Sequence, residues 1–154
     1  MLHHRGFSLL ELMVVLAIVV IIASIAVPGF SSLIQNNRLN SATHSVLGAL
    51  QIARSEAVTL RSAIKVCAAN TALNACEDTT DWNNGVLIMR GTTLLRAVPS
   101  AQTGVSVAAS TKEVVYQGNG TTSAATITVS DSSGKKQVIK VNAIGQACSG
   151  SACS

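Results

Sequence analysis

Residues 5–28 read RGFSLLELMVVLAIVVIIASIAVP, and the interpretation of the whole chain depends on this stretch. Between Phe7 and Val27 the one ionisable side chain is that of Glu11. An apolar helix needs about 20 residues to cross a bilayer, and this segment meets that length. We therefore expect residues 7–27 to form a membrane-spanning helix.

The rest of the chain has the composition of one small domain. Of 154 residues, 48% are hydrophobic and 12% are charged, and most of the apolar excess lies in the stretch just quoted. The residues after Pro28 suffice for a single hydrophobic core. This length excludes a large multidomain enzyme, and the composition excludes a disordered or collagen-like chain.

A cleaved secretory signal and a plain signal anchor are two interpretations of the N-terminus. Arg5 and the small residues Ser24 and Ala26 fit a secretory signal, but its apolar run is usually only about 7–15 residues long. Inside a bilayer, Glu11 costs on the order of 1–3 kcal/mol. A plain anchor fits the length and leaves Glu11 unexplained, because an acid kept in a membrane span needs a partner.

The sequence RGFSLLE at residues 5–11 resembles the processing site of type IV prepilins and related pseudopilins. The resemblance implies that a prepilin peptidase cuts after Gly6 and methylates the new terminal amine of Phe7. It also implies that Glu11 acts in assembly and that Pro28 marks the membrane boundary. The expected domains are a leader over 1–6, a transmembrane and filament-core helix over 7–27, and a periplasmic globular part over 28–154.

The spacing of Phe7 and Glu11 gives the resemblance a physical basis. Four residues separate them, so a helix places both on one face, one turn apart. The carboxylate of one subunit can then neutralise the terminal amine of another, which offsets much of the cost of burying either charge. Glu11 would set the register of assembly; the alternative is an acid that snorkels to the lipid headgroups.

A helical pattern continues beyond the apolar segment. We predict one helix of about 50 residues from Phe7 to about Leu60, with Pro28-Gly29 either kinking it or separating two helices. Apolar residues at spacings of three, four and seven form a stripe that we expect to pack on a domain. The stripe consists of Leu39, Val46, Leu50, Ala53, Ala57 and Leu60.

After Arg61 the sequence changes to short β-type runs separated by turn residues. Residues 90–93 and 131–134 carry turn signals that predict two hairpins. We predict an α+β, pilin-like fold, in which the long N-terminal helix, its first half transmembrane, packs on one face of an antiparallel sheet. The predicted strands are Ala63–Ala68, Gly85–Arg90, Leu94–Val98, Val105–Ala108, Glu113–Gln117, Ala125–Ser130 and Lys136–Ala143.

Four cysteines lie outside the apolar segment: Cys67, Cys76, Cys148 and Cys153. An even number suits an oxidising compartment. Three pairings are possible, and proximity in sequence favours Cys67 with Cys76 and Cys148 with Cys153. A four-thiolate zinc site is the rival, but its cysteine pairs are typically about two to four residues apart.

Two inner motifs resemble the FimU and FimT minor pilins and the GspH pseudopilins. They are ARSEA at residues 53–57 and WNNG at residues 82–85. A purely structural interpretation is open for both. In that interpretation Trp82 fills the edge of the core, and Arg54 and Glu56 lie on a solvated turn of the helix.

No constellation for catalysis, a cofactor or a metal is apparent. His3 and His4 lie in the leader and His44 is isolated on the helix, so no nucleophile and base can be paired. We expect a subunit and not an enzyme. The partners that the resemblance implies are other major and minor pilins or pseudopilins, the inner membrane, the prepilin peptidase and the inner-membrane assembly platform.

Three functions follow from the resemblance. The first is a type IV minor pilin that sits at or near the pilus tip and helps initiate assembly. The alternative is a GspH-like pseudopilin that drives export in a type II secretion system. In either case the chain would wait in the inner membrane as a single-pass protein with a periplasmic C-terminal domain, and in a pilus it would reach the cell surface.

The third function is DNA capture in natural transformation, as in FimT-like pilins. The net charge is +4, and the single local cluster of cations is Lys135, Lys136 and Lys140. The resemblance implies a Gly-Arg-x-Arg tail in DNA-binding members, whereas residues 145–148 here read GQAC. DNA is therefore a possible partner that the sequence does not favour.

Overall fold

The computed structural model describes residues 8–99 and 103–150, with residues 25–30 described by their backbone alone. The chain divides into two compact units, Met1–Asn36 and Asn37–Ser154. The described residues form one long helix and eight strands. These are α1 (Leu9–Leu60), β1 (Ile64–Ala68), β2 (Gly85–Arg90), β3 (Thr93–Pro99), β4 (Val105–Ala109), β5 (Glu113–Tyr116), β6 (Ala125–Asp131), β7 (Lys136–Val141) and β8 (Ala147–Ser149).

Helix α1 is one element that passes through position 28, so the alternative of two separate helices is wrong. Its C-terminal end is closed by two backbone hydrogen bonds, from Arg61 to Val58 and from Ser62 to Ala57. Arg61 has a φ of 46°, in the left-handed region. This is the Schellman arrangement, which satisfies the last carbonyl groups of a helix and turns the chain toward β1.

The strands form two four-stranded antiparallel sheets with the orders β3-β2-β1-β5 and β4-β6-β7-β8. The prediction of a single sheet is wrong because the chain changes sheets between β4 and β5. Ser110 still donates its backbone N–H to Thr126 of β6, whereas Glu113 already pairs with Cys67 of β1. The α+β class and the long helix packed on antiparallel sheet are confirmed.

All seven predicted strands are present, with ends within two residues of those expected. The two predicted hairpins connect β2 to β3 and β6 to β7. Strand β8 was not predicted. It has three residues, too few for an alternating pattern, and it exists because Ala147 and Cys148 pair with Val141 and Lys140 of β7.

The core of the second unit lies between the stripe of α1 and the strands. Five of the six predicted stripe residues are buried. The prediction for Leu60 is wrong, because this side chain is 39% exposed at the point where the helix ends. Ala42 and Ala49 are buried beside the stripe and allow a close approach of helix and strands. The other large buried side chains of this core include Ile64, Val66, Trp82, Val86, Ile88, Tyr116, Ile127, Val129 and Ile139.

The predicted Cys67–Cys76 disulfide is confirmed, with 5.6 Å between the two Cα atoms. Cys67 belongs to a second small apolar cluster with Ala69, Leu87 and Met89, against which Leu73 packs. The disulfide therefore fastens the segment after β1 over these residues. Cys148 is also disulfide-bonded, and its predicted partner Cys153 lies outside the described residues.

Two features require a glycine at Gly145: its backbone conformation and its close contact with the backbone of Gly120. It has a φ of 80°, and a Cβ atom there would collide with the carbonyl oxygen of Gly120. Gly134 has a similar φ of 85° and open space around it. Substituting each glycine in turn therefore separates two contributions to the free energy of unfolding: that of the left-handed conformation, present at both positions, and that of the collision, present only at Gly145.

We predict that Gly145→Ala destabilises the protein more than Gly134→Ala does. Both substitutions place alanine in the left-handed region, at a cost of roughly 1–2 kcal/mol. The collision adds about 1–3 kcal/mol at position 145, because backbone must shift. Urea unfolding monitored by circular dichroism gives both values, and equal losses would contradict the role given to the Gly120 contact.

Candidate functional site

The N-terminal part of α1 exposes apolar side chains on every side. Each large apolar residue from Leu9 to Ile22 is exposed, from 45% at Val15 to 77% at Leu9. A helix that is apolar all round belongs in a protein core or in lipid. Burying one such side chain contributes about 1.5–3 kcal/mol, so a strip of this length requires cover that the described residues of its own chain do not provide.

A bilayer-spanning helix is not found among the described residues, where no stretch is both long and apolar enough.

Glu11 stands in the first turn of α1 and is exposed among these apolar neighbours. Ser8 precedes the helix, and its carbonyl accepts the first intrahelical bond from the N–H of Leu12 at 3.1 Å. Serine followed three residues later by glutamate is the spacing of a capping box. A carboxylate here also interacts favourably with the positive end of the helix dipole, which offsets part of the cost of placing Glu11 among apolar side chains.

The predicted cleavage and methylation residues, Gly6 and Phe7, lie outside the described residues, as does the side chain of Pro28. The structure therefore places one of the predicted assembly residues, Glu11, on the exposed apolar strip.

Arg54 has a structural role that the sequence did not reveal. Its Nε donates to the carbonyl oxygen of Gly120 at 3.2 Å, and Nη2 donates to that of Ile144 at 2.9 Å. These bonds tie the β5–β6 and β7–β8 connections to the helix. The interpretation of Arg54 as a solvated residue is wrong because two loops from distant parts of the sequence converge on this turn.

Tyr116 is fully buried near Arg54, and its hydroxyl has no hydrogen-bond partner among the described residues. Burial raises the pKa of Tyr116 to about 12, and the charge of Arg54 lowers it in part. Trp82 is 1% exposed, as the structural interpretation of its motif predicted. It lines a cavity of about 180 Å³ between α1, the start of β2, the end of β3 and the middle of β4.

The predicted cation cluster is brought together only in part. Lys136 and Lys140 are exposed and lie on one face of β7, whereas Lys135 belongs to the preceding turn. That turn is organised by Asp131, whose carboxylate accepts hydrogen bonds from Ser133 and from the N–H of Lys135. The pKa of Asp131 is lowered, foremost by the hydrogen bond from the Ser133 hydroxyl. The backbone hydrogen bonds and the charge of Lys135 lower it further.

Within the described residues, no group of three or more histidine, cysteine, aspartate or glutamate side chains could hold a metal ion. The features that remain are those of an assembly subunit: an uncovered apolar helix segment, an acid at its start, and a compact domain held by polar loop contacts.

This combination of features, together with the processing motif, defines a type IV minor pilin or pseudopilin. Residues 42–145 match the family model described as type II transport protein GspH, and residues 1–27 match the prokaryotic N-terminal methylation motif. The chain belongs to the GspH family. Its family implies that it interacts with other pilins or pseudopilins.

Comparison of structures supports the same fold. A crystal structure of the type IV minor pilin FimU from Pseudomonas aeruginosa superposes with a TM-score of 0.63 at 22% identity, covering 78% of this chain and 93% of FimU. A second crystal form of FimU gives 0.56 at 21% identity, covering 75% and 94%. No curated protein sequence matched the chain. At these identities the likeness establishes the fold.

We predict that Tyr116 ionises near pH 12 in the folded protein and that the fold already weakens between about pH 10 and that value. The folded state holds the phenolic proton more tightly than the unfolded chain, whose ordinary value is 10.0. The free energy of unfolding should therefore fall as the pH rises from about 10 toward 12. Tyr116 is the single tyrosine, so tyrosinate absorbance reports it directly.

Tyr116→Phe is the matched control. It should remove the tyrosinate signal and that part of the pH dependence. It should change stability at pH 7 by less than about 1 kcal/mol, because the lost hydroxyl has no partner among the described residues. A titration midpoint near 10, or a large loss of stability in the Phe variant, would contradict this account of the buried hydroxyl.

Proposed function

We propose that this chain is a minor pilin of a type IV pilus, incorporated at or near the tip, where it helps initiate assembly. The observation that carries the proposal is the exposed apolar strip from Leu9 to Ile22, which starts beside an acid. The described residues of a single copy do not cover this strip. Packing against the equivalent helices of other subunits covers it and gives Glu11 a charged partner.

Before assembly, the subunit waits in the inner membrane. Residues 7–27 form the anchor and the C-terminal domain lies in the periplasm, from which the assembly platform draws the subunit into the filament and to the cell surface. Prepilin peptidase removes residues 1–6 and methylates Phe7. The match of residues 1–27 to the methylation motif supports this processing, and the Cys67–Cys76 disulfide suits an oxidising compartment.

A pseudopilin of a type II secretion system is the second candidate, and the description of the matched family favours it. Both functions require the same anchor, helix and domain, so the described contacts do not separate them. Deletion of the gene does separate them. Loss of surface pili with intact enzyme secretion supports the pilus, and loss of secretion alone supports the secretion system.

DNA capture has weaker support. Tracking a phosphate backbone needs a larger set of clustered cations than Lys136 and Lys140 provide on the face of β7. The segment at 145–148 that would carry arginines is instead a tight connection, in which Gly145 packs on Gly120. Salt-sensitive binding of duplex DNA at micromolar protein would restore this candidate.

We predict that Glu11→Leu is inserted in the membrane and is lost from the filament. Leucine improves insertion by removing a carboxylate from the span, but it leaves the amine of a neighbouring subunit without a partner. The measurement is the amount of the variant in sheared filaments relative to the membrane fraction. We expect at least a tenfold drop in this ratio, the order of effect of leaving one buried charge unpaired.

Ser24→Leu is the matched control for this experiment. It is also a polar-to-apolar change on the exposed segment, and it removes only a local bond from the Ser24 hydroxyl to the carbonyl of Ile21. It should be incorporated as the unchanged chain is. Normal incorporation of Glu11→Leu would refute the pairing role of the acid.

A further inference from the structure

The sheet β3-β2-β1-β5 ends in a strand whose outer side is uncovered among the described residues. Strand β3 (Thr93–Pro99) pairs with β2 on one side, and no hydrogen bond reaches its other side from residues 8–99 or 103–150. An uncovered edge of this kind is a row of N–H and C=O groups that can pair with another strand. We call the outer side of β3 the open edge.

The other sheet edges are covered or short. On β4, Val107 accepts a bond from the N–H of Trp82 and donates its own N–H to the side chain of Asn83 at 2.7 Å. On β5, the carbonyl of Val115 accepts a bond from the Thr122 hydroxyl at 2.7 Å. Strand β8 has three residues. In the part of the chain that the structure describes, β3 is therefore the one long edge left open.

The register of β3 shows which of its backbone groups face outward. Gly85 directs its carbonyl away from β3, because that oxygen accepts the N–H of Ala69 on the β1 side. Pro99 is paired with Gly85, so its backbone groups point away from β2. Ala97 lies two residues before Pro99 and points its N–H and C=O the same way. Proline fits at this position because no N–H is needed for the bonds to β2.

The side chains at the open edge are basic and partly apolar. Leu94 and Leu95 are 39% and 37% exposed. Arg96 on β3 and Arg90 at the end of β2 are exposed, and neither has a carboxylate within ion-pair distance among the described residues. The hairpin Gly85–Pro99 contains no aspartate or glutamate. The open edge therefore favours a neighbour that brings carboxylates.

We infer that the open edge binds an extended acidic segment of a different pilin subunit, which adds a fifth strand to this four-stranded sheet. Backbone groups such as those of Ala97 supply the pairing, and carboxylates on the added strand interact with Arg96 and Arg90. The inference rests on the proposed assembly function. It adds the chemistry of one neighbour and the surface that binds it.

A second copy of this chain does not fit the open edge. Pairing two β3 strands would bring two Arg96 side chains close together, and like charges across a strand pair are destabilising. The two acids on the described strands are not available either: Glu113 lies 3.7 Å from Lys65, and Asp131 is buried. The arginine thus protects the edge against pairing between copies while it attracts an acidic strand.

The first experiment removes a backbone donor from the open edge. Ala97→Pro deletes the outward N–H and leaves the bonds between β3 and β2 in place, so incorporation into filaments should fall roughly three- to tenfold. Ala97→Val is the matched control, because it also enlarges the side chain but keeps the N–H. It should be incorporated as the unchanged chain is. Equal incorporation of the two variants would overturn the pairing.

The second experiment reverses a charge at the open edge and does not depend on the backbone. Arg96→Glu should lower incorporation roughly three- to tenfold, because an attraction becomes a repulsion. Lys136→Glu, on the other sheet, makes the same change in net charge and should have little effect. If Ala97→Pro proves unfolded in a thermal melt of the detergent-solubilised full chain, Arg96→Glu decides alone. Its normal incorporation would overturn the inference.

Photo-cross-linking in filaments identifies the neighbour. A benzophenone side chain is placed at position 95 or, as the control, at position 138, where Val138 is exposed to nearly the same extent, 38%. We expect position 95 to link to an acidic segment of a different subunit and position 138 not to link to that segment. Replacing the acid nearest the link by arginine should then restore incorporation of Arg96→Glu. Links only within this chain or to a second copy would overturn the inference.

The outcomes keep the inference apart from the function on which it rests. If the unchanged chain is absent from every filament, the assembly function itself fails. If the unchanged chain is incorporated and the variants at Ala97 and Arg96 are incorporated equally well, only the role of the open edge is overturned.

Discussion

Helix α1 carries more apolar surface than the described residues of its own chain cover, and the rest of the structure follows from this imbalance. Beyond Leu39 one face of the helix is sealed by the two sheets, with Leu50, Ala53 and Ala57 fully buried. From Leu9 to Ile22 every large apolar side chain is exposed. A helix that is amphipathic in one half and apolar all round in the other belongs partly to its domain and partly to an environment outside the chain.

Hydrogen bonds and close backbone packing fix the loops of the domain near the C-terminal end of α1. Arg54 holds two loops through backbone carbonyls, and Gly145 lies against Gly120 in a conformation and at a distance that leave no room for a side chain. The disulfide between Cys67 and Cys76 closes a separate apolar cluster on the far side of β1. Rigid domains suit a filament, in which each subunit must meet its neighbours with the same geometry.

The sequence predicted the features that depend on local pattern. The apolar segment with Glu11, the stripe from Leu39 to Ala57, the seven longer strands and the Cys67–Cys76 pair all follow from periodicity or proximity along the chain. The features it missed depend on contacts between distant residues. The division into two sheets needs the switch of partner at Glu113, and the roles of Arg54 and Tyr116 need loops that meet only after folding. Leu60 fits the periodicity of the buried stripe but is exposed, because the helix ends there.

Neutralisation of Glu11 by a neighbouring subunit requires that cleavage exposes an amine one helical turn before this residue, so the mature N-terminus is its most direct test. Intact mass spectrometry of the chain from purified filaments should give the mass of a protein that starts at Phe7 and carries one added methyl group. The full-length mass would contradict the account. So would the mass of a chain cut near Ser24 or Ala26, because that product has lost both Glu11 and the apolar strip.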